Sequence, residues 1–172
     1  MISAWIEAIR ALPGEVRSTV TGLNDQQLDT PYRDGGWTVR QVVHHLADSH
    51  MNGFVRMRLI MTEDSPVLKP YDQDRWALLD DSRTLPLEPS LAILDGLHAR
   101  WAALLGSIRD DGTWRRTAHH PESGEVMLES LLALYATHGR HHLAQIIQLR
   151  ERMGWNVDGE LSSHLLAPFV AS

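Results

Sequence analysis

Trp5, Ile6, Ile9, Leu12, Val16, Val20 and Leu23 recur at spacings of three and four. That period is helical and predicts an amphipathic first helix. Pro13-Gly14 should interrupt or bend it, because proline brings no N–H to the helical ladder. A second helix is predicted from residue 38 to about residue 62. The turn-rich PYRDGG precedes it, and Thr38 and Gln41 form a T-x-x-Q capping box in which each side chain satisfies an orphan amide. Pro66 and Pro70 mark a loop, then a helical fragment around 74–79, then more loop through Pro86 and Pro89. Leu91, Leu94, Leu97, Trp101, Leu104, Leu105 and Ile108 lie on one face of a third long helix, from Ser90 to near Asp111-Gly112.

The stretch 114–125 contains His-Pro and Ser-Gly and reads as a loop or short hairpin. Leu128, Leu131, Leu132, Tyr135, His138, His142, Ile146 and Leu149 then form the stripe of a fourth long helix, ending near Met153-Gly154. In the tail, Leu161, Leu165 and Leu166 have helical spacing and predict a short docked helix. Four amphipathic helices with few strand signals imply an all-α four-helix bundle. The connections are long enough for a non-sequential helix order. At 172 residues the chain supports one full core, so the bundle is expected over 1–155, with 156–172 as a tail.

Charge narrows the partners. A net charge of -6 supplies no positive field for phosphates, so nucleic acid and anionic membranes are excluded as expected partners. A small-molecule substrate is expected, with a homodimer as a possible assembly. No run approaches the ~20 apolar residues of a membrane span, and the start lacks the basic flank and cleavage site of a signal peptide. A cytoplasmic location is expected. The absence of cysteine removes disulfides, thiolate ligands and a cysteine nucleophile together. Any metal must use His, Asp or Glu.

Ten histidines are the anomaly of the composition. His138 and His142 are four apart on an apolar stripe, so they point the same way from successive turns and can share one cation. His45, among Val42, Leu46 and Ser49, is placed to add a third ligand from the second helix. Three protein ligands leave one tetrahedral position open, as in catalytic zinc sites. His44 and His141 neighbour these ligands and point about 100° away, toward the surface or the ligands' outer side. His50, after Asp48, is a candidate on the substrate side, and His120 a candidate reaching in from a loop. The zinc-peptidase pattern H-E-x-x-H is absent, because Gly139 stands where that pattern carries its glutamate. That favours a nucleophile needing little help, such as a small thiol. Asp48, Glu63 and Asp64 remain open as bases from elsewhere.

The runs DTPYRDGGWTVRQVVHHLADSHMNGFVRMRL, KPYDQDRWA, HARWAALL and ATHGRHHLAQIIQLRERMGW resemble the DinB/YfiT superfamily, most closely its YfiT-like metal-dependent hydrolase branch. The resemblance spans roughly residues 3–155. It implies a four-helix bundle of non-sequential order and one nickel or zinc ion on three histidines, which fall on His45, His138 and His142. It also implies hydrolysis or transfer to a low-molecular-weight thiol such as bacillithiol, mycothiol or glutathione. The expected function is therefore a metal-dependent hydrolase or thiol S-transferase. The alternatives are a non-catalytic metal-binding sensor or interaction module, and a metal-free bundle with hydrogen-bonded core histidines.

Overall fold

The computed structural model describes residues 1–168. The last four residues of the predicted tail, 169–172, lie outside the described residues. Four long helices carry the fold: α1 (Ile2–Val20), α3 (Val39–Thr62), α6 (Glu88–Gly106) and α8 (Leu128–Arg152). Between and after them come α2 (Asp25–Leu28), α4 (Gln73–Ala77), α5 (Asp80–Thr84), α7 (Asp111–Trp114) and α9 (Gly159–Leu166). A hairpin of β1 (Thr117–His120) and β2 (Gly124–Met127) precedes α8, pairing Ala118 with Val126 in antiparallel register.

The local chemistry accounts for most boundaries. Thr38 Oγ1 accepts from the Gln41 amide at 3.1 Å, and Gln41 Oε1 accepts from the Thr38 amide at 2.9 Å, so both halves of the capping box start α3. Gly154, at φ 65°, lies just past the end of α8, a backbone conformation that glycine adopts without steric cost. The third long helix stops earlier than its stripe predicts. Asp110 accepts from the Gly112 and Thr113 amides and starts the separate turn α7 there. Helices α2 and α5 were not expected, since a single turn is too short to show a period. The visible signal for α2 is its Asn24-x-x-Gln27 capping box.

Pro13 does not interrupt α1, which runs unbroken through it. The helix loses the amide that would bond the Ile9 carbonyl, but that carbonyl accepts instead from His98 Nδ1 at 2.5 Å. Packing against α6 and α8 holds the helix on both sides.

Helix α1 packs on α6 and α8, and α3 packs on the same two. The helices that follow each other in sequence, α1 and α3, therefore occupy opposite corners, which is the non-sequential order. The core divides into two apolar halves, one around Ile9, Met57, Trp101 and Leu132 and the other around Val16, Leu46, Leu94 and Ile146. Between them lies a polar layer to which α3 contributes His45 and His50, α6 His98, and α8 His138 and His142. The tail helix α9 docks Leu165 on the bundle, with Asp158 capping the Leu161 amide at 2.8 Å. None of the described helices is long and apolar enough to cross a membrane.

Candidate metal centre

Because α3 and α8 are neighbours, their inward histidines meet. One ring nitrogen from each of His45, His138 and His142 lies within 4.8 Å of the others. His45 Nε2 and His138 Nε2 are 3.4 Å apart. Two nitrogens bound at 2.0–2.1 Å in a tetrahedral zinc site are separated by about 3.4 Å, so this pair is already spaced for a shared ion. The three rings face each other edge-on, with centroids 4.7 to 5.3 Å apart. The donor set fits a divalent ion.

The rings are also neutral. Burial pushes His45 and His138 down to about 3 and His142 to about 4, and each ring makes a neighbour's protonation costlier. Their lone pairs are available at neutral pH. His142 Nδ1 donates to Gln145 Oε1 at 3.0 Å, which leaves the lone pair of His142 Nε2 free to meet an ion. The amide of Gln145 in turn donates to His141 Nε2 at 3.0 Å, so exposed His141 steadies the outer side of the His142 ring. Trp37 stacks on His142 at 6.2 Å and tilts over His45 at 4.6 Å, covering one side of the cluster with indole. His138 and His142 are only partly buried, so the cluster stays in reach of solvent.

The other predicted residues separate clearly. His44 is buried, contrary to a surface position. It points away from His45 as helical spacing requires, but Ser90 Oγ at 2.7 Å and the Leu85 carbonyl at 3.2 Å lie there instead of water. His50 is fully buried and away from the solvent side, between His138 Nδ1 at 3.2 Å and His98 Nε2 at 3.0 Å. Asp48, three residues after His45 and one turn along the same side of α3, is partly buried. Burial raises its carboxyl to about 6, and the charge of Asp81 adds to the effect. His120 sits in the hairpin, where its Nδ1 accepts from the Glu122 amide at 3.3 Å. The hairpin joins α8 at Leu128, ten residues and about 15 Å of helix before His138. Glu63 and Asp64 lie past the far end of α3, with Glu63 18 residues, about 27 Å, from His45.

Sequence reasoning missed His98. Its signal was present: four residues after Leu94 and three before Trp101, it lies on the apolar stripe of α6 and is 1% exposed. Gly139 has a packing reason. A Cβ there would come within 2.5 Å of Leu12 Cδ2, so position 139 faces α1 and not the metal position.

The DinB superfamily model matches residues 8–146, most of the chain and all three converging histidines. The chain belongs to the DinB superfamily. Among relatives of this DinB chain, a protein of Geobacillus kaustophilus named "Putative metal-dependent hydrolase" is 54% identical over 154 residues, covering 90% of this chain and 86% of the relative. One of the same name from Bacillus mycoides is 52% identical over 155 residues, covering 90% and 88%. The solved structure of YfiT from Bacillus subtilis, described as "a probable metal-dependent hydrolase with an unusual four-helix bundle topology", superposes with a TM-score of 0.87 at 47% identity. It covers 90% of this chain and 89% of YfiT.

The neutral rings give this DinB protein a defined acid response. The unfolded chain takes up protons near pH 6.5, whereas the folded one holds His45, His138, His142 and His98 neutral down to about 3 or 4. Protons therefore favour the unfolded state, and the stability of metal-free protein should fall as pH drops below 6.5. Each ring costs up to ~2 kcal/mol at pH 5. Urea melts of metal-free protein at pH 7.5, 6 and 5 measure this, and equal midpoints at all three would contradict neutral buried rings.

Proposed function

We propose that this protein is a metal-dependent enzyme that holds one zinc or nickel ion through His45, His138 and His142. It uses the ion to activate a small nucleophile, a low-molecular-weight thiol in preference to water, against an electrophilic small molecule. The observation that carries this is the convergence of three neutral imidazole nitrogens beside solvent. Bound there, the ion supplies Lewis-acid activation at its open position, enough to deprotonate a coordinated thiol and to bring water close to neutral pKa.

The surrounding residues support that reading. Gln145 accepts from His142 as a neutral amide, so this ligand's outer partner adds no negative charge. Trp37 keeps water from one side of the cluster and presents an apolar wall to a substrate. The shared description of the relatives as metal-dependent hydrolases agrees with an enzyme. A thiol is preferred because no carboxylate adjoins the ligand pair: Gly139 is committed to the contact with Leu12. Where water is the nucleophile, its proton goes to Asp48, which lies one turn along α3 from His45 and whose carboxyl is raised by burial to about 6.

The test is turnover of activated electrophiles by zinc-loaded and nickel-loaded protein, with and without bacillithiol, mycothiol or glutathione. Turnover that requires both metal and thiol is expected. Metal-dependent turnover that is unaffected by thiol would assign hydrolysis instead, and none across a broad panel would sink the enzymatic reading. With Asp48 as the base of hydrolysis, kcat/KM for the water reaction should fall about tenfold per pH unit below about 6. Asp48→Asn should lower kcat for the water reaction by roughly 10²–10⁴-fold, remove that acid limb and leave metal content unchanged.

A further inference from the structure

We propose that Pro13, the Ile9 carbonyl, His98 and His50 form a relay that fixes the tautomer of His138. Its proton is held on Nδ1 and its Nε2 lone pair faces the metal position. The metal end of this relay rests on the ligand assignment above; the tautomers themselves do not.

The relay starts from a proline. In an uninterrupted helix the amide four residues on would occupy the Ile9 carbonyl, but that residue is Pro13, which has no N–H and whose ring pushes the carbonyl outward. A helix carbonyl is thereby made available to another helix. His98 Nδ1 lies 2.5 Å from it, and since a carbonyl only accepts, His98 carries its proton on Nδ1.

From that fixed end the remaining protons follow. His98 is 1% exposed and His50 is 0% exposed, and neither is hydrogen-bonded to a carboxylate. An imidazolium there would be an uncompensated buried charge, so both rings are neutral, with one donor and one acceptor each. His98 Nε2 must accept, and so His50 Nδ1, 3.0 Å away, must donate. His50 Nε2 must then accept, and His138 Nδ1, 3.2 Å away, must donate. What remains on His138 is the bare Nε2, the atom 3.4 Å from His45 Nε2. With no partner at Nδ1, an imidazole is free to place its proton on Nε2, the form in which that nitrogen cannot bind a metal.

The middle ring is held in place. Trp101 and Tyr135 pack edge-on against His50 at 5.8 and 5.4 Å. Tyr135 reaches that position over Gly53, where a Cβ would come within 2.5 Å of Tyr135 Cζ. The relay ends on a backbone carbonyl instead of a carboxylate, so it orients His138 without adding negative charge. His50 and His98 are thus positioning residues, acting on the metal through His138.

The experiment is long-range proton–nitrogen correlation NMR on metal-free, ¹⁵N-histidine-labelled protein at neutral pH, with zinc affinity measured in parallel. His98, His50 and His138 are all expected as Nδ1–H tautomers. His138 protonated on Nε2 in the wild type overturns the proposal. His50→Phe fills the space but neither donates nor accepts. It should move His138 toward the Nε2–H form and weaken zinc binding about 10- to 100-fold. An unchanged His138 tautomer with affinity within about twofold of wild type overturns the proposal. Pro13→Ala acts from the far end and decides the matter if His50→Phe does not fold. It returns an amide to the Ile9 carbonyl, and should shift the His98 Nδ1–H proton resonance upfield and weaken zinc binding several-fold, although alanine favours the helix. An unmoved resonance with unchanged affinity overturns the role of Pro13. A wild type that shows the three tautomers but takes up no zinc supports the relay and overturns the ligand assignment.

Discussion

Replacing His142 with alanine should strip the metal from the protein. Two imidazoles then remain of the three that converge. Zinc affinity is expected to fall on the order of 10³-fold, and the content after dialysis to drop from about one ion per chain to below about 0.1. Turnover should fall to the metal-free background. The fold should survive, because His142 is partly exposed at the edge of the polar layer and its loss opens no closed cavity. His141→Ala is the control: that ring is exposed and meets the site from outside, through Gln145 and an edge-on contact with His142 at 5.7 Å, so most of the metal should be retained. Elemental analysis of protein purified without a histidine tag measures both variants. Full metal content in His142→Ala would remove this residue from the ligand set.

The second large effect is expected at Gly139. A Cβ there would lie 2.5 and 2.6 Å from the two methyl carbons of Leu12, so Leu12, buried at 2% exposure between α1 and α8, would have to move. Gly139→Ala should therefore cost about 1–3 kcal/mol, or roughly 2–12 °C in Tm for a chain of this size. Gly139→Glu restores the H-E-x-x-H pattern on paper. It would drive a carboxylate into Leu12 without a partner and should cost more than about 4 kcal/mol, with no gain in hydrolysis. Thermal melts with and without zinc, together with hydrolysis rates, test this. A stable, faster Gly139→Glu would show that position 139 addresses the metal after all.

These two expectations differ in where they were legible. The spacing of His138 and His142 was readable because four residues nearly complete one helical turn, and that geometry is independent of what surrounds the helix. The glycine between them was readable only as a missing base. Its cause is Leu12, 127 positions away in the chain, and no period along one helix reports a contact with another. His44 shows the same limit. Its direction relative to His45 followed from the helix, but its burial against Ser90 and Leu85 followed from where α6 and the α5 region lie.

Helix periodicity, the Thr38 cap and the histidine spacing determine four long amphipathic helices and the two faces that carry His45 and the His138/His142 pair, because these depend on bonds within about a turn of each residue. Tertiary structure decided which faces meet. It set α1 and α3 at opposite corners, brought His45 within reach of His138, buried His50 and His98 behind the site, and made Pro13, where a break or bend was predicted, the reason that the Ile9 carbonyl is open to His98. Those outcomes depend on partners distant in the chain, and their energies arise only when the helices pack.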